Sequence, residues 1–266
     1  MNESALRQVG PGQVVSLSHM PFAFDGGIAH RAAIGLIVLA TDQTIEHEFR
    51  QILAIDGVAY YETRIRNAAE INPTTWAEME KGLAGATGLI LPGSRLDVVA
   101  YGCTSGTVVI GEEQVFARIR EARPEVACTT PITAAIAGLK ALGARRIALL
   151  TPYIEEVNQM FRGFIEARGI EVPVMGSFNH ENDIEVARIT EESIREAVRR
   201  LVAAGRIDAV FVSCTSLRVA AIADTLEREL GVPVTSSNHA LAWHCLRLAG
   251  YREPVAGFGI LFRLPG

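Results

Sequence analysis

Short apolar runs alternate with amphipathic segments along most of this chain. Runs such as 34–39 (IGLIVL) and 146–150 (RIALL) are typical of strands buried on both faces of a parallel sheet. Between them, apolar residues recur about every three to four positions, which is the spacing of helices that cover such a sheet. Strands are predicted at 34–39, 58–64, 97–101, 127–130, 146–150, 172–175, 208–212 and 232–235. Helices are predicted at 45–53, 74–85, 111–122, 131–142, 155–168, 190–204, 219–230 and 239–248.

The second half of this pattern repeats the first. The stretch 129–143 (TTPITAAIAGLKALG) parallels 235–250 (TSSNHALAWHCLRLAG) with a slip of one residue, and in each a polar turn opens a helix that ends at glycine. Strands that alternate with helices form parallel sheets. We therefore predict an α/β fold of two lobes related by a pseudo-twofold axis. Each lobe is a parallel sheet flanked by helices, with the active site in the cleft between them.

The repeat also predicts domain boundaries. Lobe 1 is expected at 33–128 plus 236–266, and lobe 2 at 129–235. Residues 1–32 form an N-terminal extension. Within it, the segment 21–24 (PFAF) is expected to pack on the body as a tether, with a substrate lid as the alternative.

Two copies of a cysteine motif carry the strongest functional signal. Cys103 and Cys214 lie 111 positions apart, each at the end of an apolar strand and each followed by Thr-Ser. Ligands of open parallel sheets bind beyond the carboxyl ends of the strands. The free N–H groups of a strand-to-helix turn should bind a carboxylate and lower the thiol pKa from its usual ~8.5. The hydroxyl groups of the two motifs, on Thr104, Ser105, Thr215 and Ser216, add hydrogen-bond donors.

Two opposed thiols suit chemistry on two faces of one carbon. One thiolate can remove a proton while the other thiol delivers one, or a thiolate can add to an activated double bond and leave later. A binding protein or redox sensor without turnover is the alternative from another class. Cys128 and Cys245 lack the motif and are predicted to be packing residues.

Composition narrows the function classes. The 266 residues carry a net charge of −5, and 49% of them are hydrophobic, with a mean hydropathy of +0.22. The sequence has no basic run of the kind that binds nucleic acid, and no apolar stretch reaches the ~20 residues of a membrane span. Without a signal peptide, a cytoplasmic location is expected. No phosphate-binding glycine motif and no HxxxH or HxH pattern occurs, so neither a cofactor nor a metal is expected. Apolar helix faces favour a homo-oligomer.

The sequence resembles the Asp/Glu racemase superfamily over about residues 33–262. It is most similar to the branch that holds maleate cis–trans isomerase, arylmalonate decarboxylase and the ectoine-utilisation racemase-like protein. The stretches that carry the resemblance are 101–106 (YGCTSG), 139–158 (LKALGARRIALLTPYIEEVN), 212–218 (VSCTSLR) and 231–237 (GVPVTSS). The resemblance implies two α/β lobes, a site in their cleft and no cofactor.

Carried over by position, the resemblance implies that Cys103 and Cys214 are the opposed catalytic thiols. It makes the Thr-Ser pairs carboxylate-binding turns, and it adds Tyr153 as a substrate contact. Arylmalonate decarboxylases keep only the second cysteine and have glycine at the first, whereas maleate isomerases use both. Decarboxylation is therefore the less favoured activity. Glutamate racemase itself is disfavoured, because Leu217 and Arg218 stand where amino-acid racemases often have histidine.

One departure concerns the substrate. Asp42, in the turn 41–44 (TDQT), stands where maleate isomerases have an asparagine that binds a substrate carboxylate. An aspartate would repel a second carboxylate and attract an ammonium or amidinium group. The turn is most similar to that of the ectoine-utilisation members. We therefore expect a racemase, epimerase or isomerase of a small carboxylate, such as an amino acid or an ectoine-type derivative. Maleate isomerisation and arylmalonate-type decarboxylation are the alternatives, and Asp42 would then only cap the following helix.

Overall fold

Two four-stranded parallel sheets form the centre of the protein in a computed structural model that describes residues 12, 14–67, 73–180 and 182–264. The first sheet has the order β2-β1-β3-β4 and the second the order β6-β5-β7-β8. Strands β1 and β5, β2 and β6, β3 and β7, and β4 and β8 therefore correspond, and the predicted fold class is confirmed. The strands are β1 Ala32–Leu39, β2 Val58–Ile65, β3 Val98–Gly102, β4 Ala127–Thr129, β5 Arg146–Thr151, β6 Glu171–Ser177, β7 Ala209–Val212 and β8 Val234–Ser236.

Helices flank both sheets. Over the described residues they are α1 Ile45–Ile52, α2 Pro73–Leu89, α3 Thr104–Ile110, α4 Glu112–Ala122, α5 Pro131–Ala141, α6 Glu155–Glu166, α7 Asp183–Val186, α8 Glu191–Ala204, α9 Ala220–Leu230, α10 Ser237–Leu248 and α11 Gly259–Arg263. Helices α3, α7 and α11 were not predicted. None of the helices in the described part of the chain is long and apolar enough to cross a membrane. The expected cytoplasmic location and homo-oligomer stay predictions.

Two aspartates at corresponding positions show the internal repeat. Asp97, just before β3, accepts the backbone N–H of Ala33 at 2.8 Å. Asp208, just before β7, accepts the N–H groups of Arg145 and Arg146, each at 2.8 Å. In both sheets the carboxylate therefore ties the start of the cysteine-bearing strand to the start of its neighbour.

The helices that follow β4 and β8 join the two sheets. Helix α10 contacts β3, β4 and α1, and it packs along α5, which in turn contacts β8. Leu36, Ile132, Leu149 and Leu241, from β1, α5, β5 and α10, are fully buried in one continuous apolar cluster. This shared core holds the carboxyl ends of β3 and β7 close together. The lobe boundaries at 128/129 and 235/236 stay predictions.

The segment 21–24 does not pack as predicted. Phe22 and Phe24 are 79% and 91% exposed, and their rings contact each other edge to face at 5.2 Å. Val14, Leu17 and Ile28 are also exposed. The prediction that 21–24 packs as a tether on the body is therefore wrong, because both phenylalanine rings face solvent and neither is buried against the apolar core.

Candidate active site

Cys103 lies where β3 turns into α3. Its Sγ accepts the backbone N–H of Gly106 at 3.2 Å, so the thiol caps the helix, and only 6% of the residue is exposed. Ser105 Oγ lies 3.9 Å from the same sulfur. A Cβ at position 106 would lie 2.8 Å from this sulfur and 2.7 Å from the hydroxyl of Tyr101. Glycine is therefore required for the thiol to rest on the start of the helix.

Cys214 lies in the corresponding turn after β7. Its φ of 141° is in a region that residues with side chains rarely adopt, and such backbone strain clusters at functional sites. Its Sγ accepts the N–H of Ser216 at 3.4 Å, and the residue is 5% exposed. Both cysteines therefore present buried thiols that accept a backbone N–H group, although Cys103 caps a helix whereas Cys214 lies in a turn that precedes α9 by several residues.

Ser237 joins the two turns. This first residue of α10 accepts the backbone N–H of Cys214 at 3.0 Å, and its hydroxyl lies 3.0 Å from that of Thr104. Its neighbour Asn238 donates to the carbonyl of Thr215 at 2.7 Å. Ser237 was not predicted as a site residue, although it lies in a polar turn before a helix and ends the stretch 231–237 that carries the family resemblance. The structure thus brings both Cys-Thr-Ser motifs to one helix end.

Tyr153, after β5, lies beside both thiols. Its ring stacks on Phe161 at 5.0 Å, and its carbonyl accepts the side-chain amide of Asn158 at 2.8 Å. Burial raises its pKa well above the usual value, and the nearby Cys214 and Cys103 add to this. The structure therefore brings Tyr153 to the two cysteines as a neutral phenol that can donate a hydrogen bond.

Asp42 caps a helix with one carboxylate oxygen and leaves the other without a hydrogen bond to the described part of the chain. Its Oδ1 accepts the N–H groups of Thr44 and Ile45 at 2.8 and 2.9 Å, at the start of α1. Its Oδ2 is buried and has no hydrogen-bond partner among the described residues, although the residue is only 5% exposed. Burial raises the pKa of Asp42, and its charge raises that of Cys214. One oxygen therefore caps the helix while the carboxylate faces the site.

Asp183 is a second carboxylate in the site, and sequence analysis missed it. It is the half-buried first residue of α7, after β6. Burial raises its pKa, and so does the charge of Asp42. Its own charge raises the pKa of Cys103, Cys214 and Tyr153. A helix of one turn gave no periodic signal that could have revealed this position.

The thiol pKa values differ from the expectation. Burial raises the pKa of Cys103 to about 11 and that of Cys214 to about 12, and the charge of Asp183 adds to both shifts. The hydrogen bonds from Gly106 and Ser216 lower these values, but desolvation is the larger effect. The prediction of lowered thiol pKa values is therefore wrong for this structure, and both cysteines are protonated at neutral pH.

A buried glutamate stabilises the elements that surround the site. Glu48 of α1 is 2% exposed, and its Oε1 accepts the N–H groups of Val219 and Ala220 at 2.7 and 2.6 Å, at the start of α9. Its Oε2 accepts the amide of Asn238 at 2.8 Å. Burial raises its pKa to about 7. Helix α1 of the first sheet is thereby bound to the turn that follows Cys214.

The remaining candidates lie outside the site. Cys128 and Cys245 are buried in apolar clusters, as predicted. His239 contacts the carbonyl of Phe258 through Nε2 at 2.6 Å and the hydroxyl of Thr235 through Nδ1 at 3.0 Å. Burial lowers its pKa to about 4, so the ring is neutral. Over the described ranges, no group of three or more side chains is arranged to hold a metal ion.

Known proteins share this sequence pattern. The family model for arylmalonate decarboxylase matches residues 93–262. An arylmalonate decarboxylase from Bordetella bronchiseptica is 36% identical over 137 residues, which are 51% of this chain and 57% of that enzyme. A maleate isomerase from Nocardia farcinica is 27% identical over 241 residues, which are 86% of this chain and 95% of that enzyme.

Solved structures agree with the sequence matches. A cysteine-to-serine mutant of Nocardia farcinica maleate cis–trans isomerase, with a covalently bound succinylcysteine intermediate, is 26% identical with a TM-score of 0.78. A double mutant of arylmalonate decarboxylase in a liganded form is 27% identical with a TM-score of 0.76. Each match covers 87% of this chain and 98% of the other.

These matches confirm the resemblance to the branch of maleate isomerase and arylmalonate decarboxylase, whose members named here are enzymes. The closer likeness to the ectoine-utilisation protein stays a prediction. The family model covers well over half of the sequence, including both cysteine motifs. The chain therefore belongs to the arylmalonate decarboxylase family.

Proposed function

We propose that the protein is a cofactor-independent isomerase of a small carboxylate, with Cys103 and Cys214 as its two reacting groups. The observation that carries the proposal is their placement. They follow the corresponding strands β3 and β7, and Tyr153 lies beside both. Two thiols that enter one site from corresponding turns can act on opposite faces of a single carbon.

In the favoured reaction, the enzyme racemises or epimerises the carbon next to the carboxylate. One cysteine, as thiolate, takes the proton from this carbon, and the electron pair of the broken C–H bond moves into the carboxylate as an enediolate. The opposite thiol then gives its proton to the other face, so the two cysteines exchange protonation states. Because both thiols are neutral in the substrate-free protein, one of them must ionise when substrate binds.

The side chains around the cysteines suit the binding of a carboxylate. The hydroxyl groups of Thr104, Ser105, Thr215 and Ser216 belong to the two turns, and these residues are buried or half-buried. The phenol of Tyr153 adds a further donor. Donors that stabilise an enediolate more than the starting carboxylate lower the barrier to proton removal.

Proton NMR in D₂O tests this function. The protein is incubated with aspartate, glutamate, diaminobutyrate derivatives and hydroxyectoine. We expect solvent deuterium at the α-carbon of one of them without net consumption. The Cys103→Ser and Cys214→Ser variants should lose this exchange. Turnover of a substrate with no exchange at any carbon would contradict the proton-transfer reaction.

Cis–trans isomerisation of maleate is the second candidate. It is favoured by the succinylcysteine found in the relative of 26% identity. A cysteine thiolate would add to one carbon of the double bond, and the electron pair of that bond would move into the adjacent carboxylate as an enediolate. After rotation about the new single bond, the pair would return, re-form the double bond and expel the thiolate, which releases fumarate. Mass spectrometry of the protein with maleate would show the adduct on Cys103 or Cys214, and NMR would show fumarate.

Decarboxylation is the third candidate, and the family match favours it. Cys214 would then protonate the carbanion left after loss of carbon dioxide from a disubstituted malonate. Release of carbon dioxide from a disubstituted malonate such as methylphenylmalonate, unaffected by Cys103→Ser, would identify this reaction.

A further inference from the structure

We propose that the substrate carries a positively charged nitrogen, an ammonium or amidinium group, which binds between Asp42 and Asp183 while its carboxylate lies between the thiols. This inference rests on the proposed function, since it names the class of substrate for the same site. It concerns recognition and makes no choice between proton transfer and thiol addition.

The carboxylate of Asp42 is incompletely bonded where burial makes this costly. Its Oδ1 accepts two backbone N–H groups, whereas the buried Oδ2 has no partner in hydrogen-bond geometry among the described residues, although the hydroxyl of Thr215 lies close enough to lower the pKa of the carboxyl. A buried polar atom that lacks a hydrogen bond is energetically unfavourable. A donor on the ligand would remove this cost, and a cationic donor would remove it best.

The side chain of Asp183 is not needed to cap the helix that it begins. The start of α7 is capped by Asn182, whose Oδ1 accepts the N–H groups of Ile184 and Glu185 at 3.0 and 3.3 Å. Within the ranges that the structure describes, the side chain of Asp183 makes no hydrogen bond or ion pair. Its charge instead raises the pKa of the two thiols and of Tyr153. It is therefore available to a ligand.

The charges of the two aspartates are not balanced by the protein. Among the described basic residues, Arg64 is the one whose charge lowers the pKa of Asp42. Its guanidinium donates to the carbonyls of Leu39 and Asp42 and pairs with Glu46 at 2.5 Å, so it is already engaged. Asp183 receives no such compensation, and burial and Asp42 are the causes of its shift. A site whose two acidic groups receive so little compensation from the described basic residues repels a dianion and attracts a cation.

A cationic ligand would also prepare the cysteines for reaction. Burial and the charge of Asp183 favour the neutral form of both thiols, and Asp42 adds to this effect at Cys214. A positive charge placed beside Asp42 and Asp183 cancels the carboxylate part of this effect and stabilises a thiolate. Binding of the correct substrate would thereby help to form the reactive state.

Binding calorimetry with two matched series tests the proposal. The probes are ω-amino acids from β-alanine to 5-aminopentanoate and dicarboxylates from malonate to glutarate. We expect at least one ω-amino acid to bind about tenfold or more tightly than the dicarboxylate of similar length. Asp42→Asn and Asp183→Asn should each weaken its binding by about tenfold or more and strengthen that of succinate. Asp56→Asn, an exposed residue in the turn before β2, is the matched control and should change neither.

Two results would overturn the inference. One is that no ω-amino acid binds, and the other is that a dicarboxylate binds more tightly and is indifferent to both substitutions. Solvent exchange measured in the cysteine variants distinguishes failure of the cation inference from failure of the proposed function. Turnover of a dicarboxylate that needs both cysteines would leave the function standing and refute the cation. If an ω-amino acid binds in a way that requires Asp42 and Asp183, but turnover survives the loss of either cysteine, the cation inference stands and the proposed function is refuted.

Discussion

The hydroxyl of Ser237 accepts the backbone N–H of Cys214 at 3.0 Å, and this bond holds a residue whose φ is 141°. Ser237→Ala would leave this buried N–H without a partner, which is unfavourable by about 1–3 kcal/mol. We expect a lower melting temperature and at least about tenfold slower turnover, because the thiol would no longer be held in place.

Thermal unfolding and steady-state kinetics check this outcome. Ser193→Ala, at an exposed position of α8, is the control. Unchanged kinetics in Ser237→Ala would show that Cys214 keeps its geometry without this bond.

Substitution of either motif cysteine should reduce activity far more than substitution of a cysteine outside the site. Cys103→Ser and Cys214→Ser should each lower turnover by at least ~10², because a serine hydroxyl is a far weaker acid and nucleophile. Cys128→Ala, which alters a buried thiol outside the site, should stay within a few-fold of the natural protein. Rates on the substrate found by NMR measure these ratios. Near-normal turnover in either serine variant would eliminate the two-thiol reaction.

Gly106 should tolerate no side chain. The Cβ in Gly106→Ala would come within 2.8 Å of Cys103 Sγ and 2.7 Å of the Tyr101 hydroxyl, so one of them must move. We expect a strong loss of turnover together with a lower melting temperature. Gly163→Ala in α6 is the matched control, since its added Cβ would meet nothing within 4 Å. This control should be neutral or raise stability by about 0.5–1 kcal/mol.

Glu48 should make stability fall as pH rises. In the unfolded chain its proton is lost near the ordinary pKa of 4.5, whereas in the folded protein it is retained to about 7. The folded state therefore binds more protons between these values, and its contribution to the free energy of unfolding decreases by up to about 3 kcal/mol across this window. Denaturant titrations at pH 4.5 and 7.5 measure the change.

Comparison with Glu48→Gln isolates this contribution. The free energy of unfolding of this variant should change little between pH 4.5 and 7.5. That of Glu113→Gln, at an exposed position, should decrease as in the natural protein. An identical pH dependence in Glu48→Gln and the natural protein would assign the effect to other groups.

Local pattern was enough to predict the strands and the cysteine turns, because both depend on residues adjacent in sequence. Helix α3 was missed because Thr, Ser, Gly and Val dominate it and have weak helix propensity. It forms because the thiol of Cys103 caps it and the surrounding fold packs against it. Tertiary context therefore overrides local preference at the point where the catalytic candidate lies.

The electrostatics of the site could not be read from the sequence. A cysteine before a helix is expected to be acidic, yet desolvation exceeds the effect of the Gly106 N–H and raises the pKa of Cys103 to about 11. Asp183 and Glu48 have no sequence signal, since their roles depend on groups far along the chain. Asp42 was found through family resemblance, and its unbonded Oδ2 was visible only in three dimensions.

The contact of Glu48 with the start of α9 has a consequence for folding. Val219 and Ala220 lie 171 and 172 positions after Glu48 in the chain, and both donate their backbone N–H groups to its carboxylate. Neither sheet with its helices can thus complete its own hydrogen bonding alone. We expect the molecule to unfold in a single cooperative transition, and two separately produced halves to regain the native circular dichroism spectrum only when mixed.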